Sequence, residues 1–114
     1  MLNKDDQTES LLRITRESIS KEGLKPDWKG NYFSSKILND LREIIELGGF
    51  EKASIYLCGK KDKKTLNKYE RIKIDILLEF IKKLKSITEF DMETKCYIVG
   101  KLNQLLNCKE GGKK

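Results

Sequence analysis

The chain has 114 residues, enough for one domain with one core. It is 38% hydrophobic and 37% charged, with no histidine, and its longest apolar runs are four residues, far short of the about 20 a membrane helix needs. These features exclude a membrane span, His-based nucleophile pairs and imidazole-containing zinc sets.

The N-terminus MLNKDDQTES lacks the apolar stretch of a secretory signal. Three cysteines (Cys58, Cys96, Cys108), spaced 38 and 12 apart, fit neither a disulfide framework nor a zinc pattern. The expectation is a cytoplasmic protein with free thiols. Cys58 and Cys96 fall on predicted apolar faces as small core residues, and Cys108 lies in the tail.

In chain order, residues 1–7 are polar and read as disordered. A first helix over 8–21 carries a narrow stripe, Leu11, Leu12, Ile14 and Ile19, with Asp6 and Glu9 in capping-box spacing. Gly23 and Pro26 stop it. The connector to Phe33 holds the only proline and the only tryptophan. Trp28, Tyr32 and Phe33 are expected to pin it to the domain, since large aromatics are mostly buried, with a stacking or docking surface as the alternative.

Ser34 or Ser35 caps a second helix that repeats Ile37, Leu38, Leu41, Ile44 and Ile45 and ends at Gly48-Gly49. Phe50, Ala53 and Leu57 give a short third helix to Gly59, although residues 53–58 are also β-compatible. A fourth helix spans 65–86, with Leu66, Tyr69, Ile72, Ile76, Phe80, Leu84 and Ile87 on one face, widened by Leu77 and Ile81. Lys73 falls inside that stripe, where its alkyl stem can lie on the core. A fifth helix over 91–107 turns Met92, Cys96, Val99, Leu102 and Leu106 inward, weakened by Gly100, and residues 95–99 are the second strand candidate. Residues 108–114 read as a disordered tail. The expected fold is all-α, a single domain over 8–107 of four or five helices. Two real strands would make it a winged helix-turn-helix instead.

The net charge of +6 is not spread evenly. Residues 60–85 hold ten basic side chains against four acids, and the rest of the chain holds fourteen of each sign. Candidate phosphate contacts are Lys60, Lys61, Lys63, Lys64, Lys68, Arg71, Lys82 and Lys85. On a helical wheel Arg71, Lys82 and Lys85 fall within about 60° of one another, and a loop and helix so charged can track a phosphate backbone by releasing counterions. The bland reading is a solvated lysine-rich face. Arginines are few, and no glycine-framed phosphate loop is present. Asp75 and Glu79, four apart, read as ion-pair partners of Arg71, Lys82 or Lys83 and not as an acid/base pair. No catalytic residue, metal site or cofactor is expected, and the chain reads as a non-enzymatic binding protein.

Two stretches carry a family resemblance. FSSKILNDLREII resembles the aromatic-Ser/Thr-Ser-Lys entry to a core helix in one branch of the small helical subunits of type III CRISPR effector complexes. LREIIELGGFEKASIYLCGKK resembles another branch, in which a helix, a glycine turn and a second helix ending in a basic residue precede a lysine-rich loop. The match covers residues 33–81, and the aromatic and arginine residues of those subunits' C-terminal helices are largely missing from 92–108. The resemblance implies a non-catalytic subunit that stacks with copies of itself along a guide–target duplex, with Lys60, Lys61, Lys68 and Arg71 facing backbone phosphate. Two other expectations stand beside it. One is a helical domain with an acidic protein partner, such as an immunity protein, a phage-encoded inhibitor or an adaptor. The other is a winged-helix DNA-binding protein.

Overall fold

Side-chain caps fix where three of the helices begin. In the computed structural model, which describes residues 4–107, Ser34 Oγ accepts from Ile37 N at 3.3 Å and Asp91 Oδ1 accepts from Thr94 N at 2.8 Å. Asn67 and Glu70 form a reciprocal capping box, each side chain accepting from the other's backbone N–H. Each cap satisfies an amide that the helix leaves without a partner. The elements are α1 (Lys4–Lys21), α2 (Ser35–Lys61), α3 (Lys68–Lys85), α4 (Met92–Gly100) and α5 (Leu102–Asn107). The fold is all-α. Residues 53–58 lie in α2 and 95–99 in α4, so neither strand of the winged-helix alternative exists.

α2 is one element by hydrogen bonding but two arms in space. Gly49 sits at φ 88°, ψ 175°, outside helical geometry, at the glycine pair where the sequence predicts a break. Tyr56 Oη donates to Asp40 Oδ2 across that break at 2.9 Å. Sixteen residues of unbroken helix would hold these two about 24 Å apart, so the arms fold back on each other. Leu38, Leu41 and Ile45 from the first arm and Phe50, Ala53 and Leu57 from the second enter one core. Ile74, Ile76, Leu77, Phe80, Ile81 and Leu84 of α3 join them, with Cys96, Ile98, Val99, Leu102 and Leu106 from α4 and α5. α2 packs on α3 and α4, and α1 lies along α3 and α5.

The Tyr56–Asp40 bond has a consequence at alkaline pH. Burial first, and then the hydrogen bond to Asp40, push the Tyr56 phenol up to about 12. The folded state favours the neutral phenol, so this contribution is complete below the ordinary tyrosine value near 10. It is lost as pH rises through about 12. Tyr56→Phe lacks it at every pH. Urea unfolding at pH 9 and pH 12 is expected to show the wild type losing about 1 kcal/mol more than the variant, after solvent screening of a half-buried group. Equal losses would sink the assignment.

Several boundaries and faces differ from the sequence reading. α1 begins at Lys4, so Asp6 lies inside the helix and not at its cap. Glu9 pairs with Arg16 at 3.2 Å. Thr15, its hydroxyl donating to the Leu11 carbonyl at 2.9 Å, takes the buried place assigned to Ile14. α3 starts three residues later than expected because Asn67 is the stronger cap. The fifth helix breaks at Lys101 into α4 and α5. Gly100 serves a close approach there, since a Cβ would stand 2.9 Å from Arg42 Cδ. Met92 and Tyr69 are exposed. Cys58 is exposed as well, one residue and about 100° round the helix from buried Leu57. Cys96 is in the core, where burial pushes its thiol up. Cys108 lies outside the described residues.

The connector divides its aromatics. Phe33 is buried and Tyr32 half-buried, both held by the buried Asn103, whose Oδ1 accepts from Tyr32 N at 3.2 Å and Phe33 N at 3.1 Å. Asn103 Nδ2 donates to the Phe33 carbonyl at 2.7 Å. Trp28 does not pack: it is 88% exposed. The turn from Asp27 to Asn31 projects it away from the domain instead of across the core.

Candidate nucleic-acid interface

The lysine-rich segment is shaped by an arginine that it does not display. Arg71 Nη1 donates to the Lys61 carbonyl at 2.9 Å and Nη2 to the Lys63 carbonyl at 3.1 Å. It thus ties off the last turn of α2 and sets the path of the loop to α3. Lys61 pairs with Asp75 of α3 at 2.6 Å, and this bond to the carboxylate raises its pKa. The structure therefore engages Arg71 and Lys61 internally, and their grip fixes the loop that holds the other lysines.

Lys60, Lys63 and Lys73 line one cleft of about 260 Å³. Its floor is apolar, built from Phe33, Ile37, Leu66, Ile74 and Leu77, and Ser34 at the start of α2 closes one end. The folded α2 makes this possible by bringing its own first and last turns together. Lys60 lies 5.2 Å from the Tyr56 ring centroid, and neither it, Lys63 nor Lys73 has an ion-pair partner among the described residues. Glu70, the only acid of the lining among the described residues, spends one carboxylate oxygen on the Asn67 amide. Lys64 and Lys68, both exposed, continue the same loop and the first turn of α3. Five lysines (Lys60, Lys63, Lys64, Lys68, Lys73) thus face two acids, Asp62 and Glu70, at one corner. Lys73 is the member the sequence analysis placed only as a core-covering stem. Its position nine residues from Lys82 turns it about 180° away from the rest of the predicted helix band.

Lys82 and Lys85 belong elsewhere. They border a separate depression with Phe50, Glu51, Asp75, Leu78 and Glu79, in which Asp75 and Glu79 are paired with Lys61 and Lys83 and Glu51 is the remaining acid. Glu79 pairs with Lys83 at 2.9 Å, as its spacing suggested, and this bond lowers the Glu79 pKa. Asp75 reaches across to α2 instead of along its own helix. The outer face of α3 is therefore a lattice of both signs, while the excess positive charge gathers at the α2–α3 corner.

Among the described residues no helix is long and apolar enough to cross a membrane, and no group of three cysteine or acidic side chains converges as a metal set. No family model, no curated protein and no solved structure matches the chain.

Proposed function

We propose that this is a non-enzymatic protein that contacts nucleic-acid backbone through the α2–α3 corner. On this proposal it acts in the cytoplasm as a subunit of a ribonucleoprotein effector assembly of the kind its residues 33–81 resemble. The observation that carries the proposal is the gathering of Lys60, Lys63, Lys64, Lys68 and Lys73 at one corner against two acids, Asp62 and Glu70. Ammonium groups held this way neutralise phosphates without reading bases, in keeping with a chain poor in arginine. Lys82 and Lys85 border a different depression, with Glu51, Asp75 and Glu79, and on this reading stand outside the interface.

Fluorescence anisotropy with labelled single-stranded RNA, duplex RNA and duplex DNA across a salt series tests the proposal. Changing Lys63, Lys64 and Lys68 together to glutamate alters only exposed side chains, so the circular dichroism of the variant should match the wild type. Its affinity is expected to fall at least about tenfold at low salt. The slope of log affinity against log salt should lose roughly 2–3, about 0.7–0.9 for each phosphate contact removed. A double change of Lys82 and Lys85 to glutamate should leave binding within about twofold. The reverse ranking of the two variants would sink the corner as the interface.

A second reading rests on the apolar floor of the cleft. Phe33, Ile37, Leu66, Ile74 and Leu77 beneath three lysines suit an apolar side chain flanked by carboxylates on a protein partner. An immunity protein, a phage-encoded inhibitor or an adaptor would use the corner in that way. Absence of nucleic-acid binding at low salt, with a folded chain, favours this reading over the first.

A further inference from the structure

Trp28 is the chain's only tryptophan, and the turn that exposes it is firmly built. Asp27 Oδ1 accepts from Lys29 N at 2.8 Å and Asn31 N at 2.9 Å. The Asp27 amide donates to the Asn31 carbonyl at 2.8 Å, and the Gly30 amide donates to the Asp27 carbonyl at 2.9 Å. Gly30 takes φ 85°, a conformation that side chains with a Cβ rarely adopt, and it lies against the Asn107 side chain. Two residues further on, Asn103 clamps Tyr32 and Phe33. The indole is thus displayed on a fixed frame, although burial would normally claim a side chain of its size.

Its surroundings limit what it receives. Lys29 Nζ lies over the ring, 5.0 Å from its centroid, placing a cation on one aromatic face and leaving the opposite face for a ligand. Asp27, the acid next in sequence, uses Oδ1 to hold the turn. A ring with one open face and an ammonium over the other matches a nucleobase and its phosphate, because every base presents a π-face whatever its identity. An apolar pocket on a protein would take the ring but would also have to desolvate the lysine beside it. A base inside a duplex is already stacked on both faces, so a projecting turn reaches only an unstacked one. Trp28 precedes Phe33, which lines the lysine cleft, by five residues, so their Cα atoms are at most about 19 Å apart, a span that a few nucleotides can cover.

We infer that the nucleic acid held at the α2–α3 corner is single-stranded and that one of its bases stacks on Trp28. This rests on the backbone-contact reading above. It diverges from the duplex that the family resemblance implies, so the two make opposite forecasts about strandedness.

A lone tryptophan makes the test direct. The full chain is titrated at low salt with an unlabelled 20-nucleotide RNA and with the duplex of the same sequence, following tryptophan emission, while anisotropy of labelled RNA reports binding separately. Stacking is expected to quench the emission by more than half with the single strand and to leave it nearly unchanged with the duplex. Trp28→Ala should weaken single-strand binding about tenfold with the salt slope intact, and Trp28→Phe should recover most of that loss. If anisotropy shows binding while emission is unchanged and Trp28→Ala binds like wild type, stacking is overturned and the backbone reading stands. If no nucleic acid binds, both fall together. A blue shift with vesicles of phosphatidylglycerol and phosphatidylcholine, without quenching by RNA, would overturn the inference in favour of a membrane surface.

Discussion

Asn103→Ala is expected to destabilise the protein by about 3 kcal/mol, one of the two largest losses predicted for a single side chain here. Asn103 is 5% exposed and makes three hydrogen bonds to the connector. Removing its amide leaves the N–H groups of Tyr32 and Phe33 and the Phe33 carbonyl without partners. Each unsatisfied buried group costs about 1–3 kcal/mol, partly relieved where water can enter. For a domain of this size the loss corresponds to a fall of about 15 °C in Tm. Packing is separable from hydrogen bonding. Asn103→Leu fills similar space but offers neither donor nor acceptor, so it is expected to lose as much as the alanine variant in urea unfolding followed by circular dichroism. Recovery to within about 0.5 kcal/mol of wild type would show that volume, and not the polar clamp, is what the site requires. Because the clamp anchors the Trp28 turn, trypsin cleavage after Lys29 should also accelerate in both variants.

This clamp illustrates what the sequence did not disclose. Periodicity and punctuation are local, so they located the helices: Ser34 before Ile37 and Leu38, the glycine pair after Ile45, and Phe50, Ala53 and Leu57 after that. The structure retains each of these. Contacts between a side chain and a distant backbone leave no such trace. Asn103 holds residues 70 and 71 positions away, and Arg16 fastens the end of α5 through the carbonyls of Leu105 and Leu106 at 3.1 Å each. Arg71 was counted as a phosphate ligand from its angle on a wheel, and only the fold shows its guanidinium engaged by Lys61 and Lys63. Lys95 makes the same point in reverse. Lys95 entered the sequence reading only as the start of a strand candidate, yet it is a buried helical residue, its Nζ donating to the Lys85 carbonyl at 3.0 Å and lying 5.7 Å from the Phe50 centroid. Charge counting located the segment that holds the excess positive charge, because six net charges in 26 residues is a local property. It did not show which side chains share a face, because that depends on how α2 folds back to place Lys60 and Lys63 beside Lys73.

That fold-back depends on one residue of the glycine pair, and the two glycines should behave differently. Gly49→Ala is expected to cost about 3 kcal/mol, the upper end for a residue forced into a sparsely populated region, because φ 88° with ψ 175° is glycine territory. Space is not the obstacle, since nothing lies within 4 Å of an added Cβ. Gly48 has helical backbone, and its added Cβ would meet only the Lys52 side chain, at 2.8 Å from Cδ, which can swing aside. Gly48→Ala should therefore fall within about 1 kcal/mol of wild type, with the helix propensity gained opposing the small rearrangement. Equal losses for the two variants in urea unfolding would sink the account. A destabilised Gly49 variant also has a specific route of escape, straightening α2 into a continuous helix. Straightening would part Tyr56 from Asp40 and separate Lys60 and Lys63 from the Phe33–Ser34 end of the cleft. The variant's alkaline stability loss should then resemble that of Tyr56→Phe. Its affinity for nucleic acid should fall although no charge has been altered, because the glycine sets the geometry in which the lysines act together.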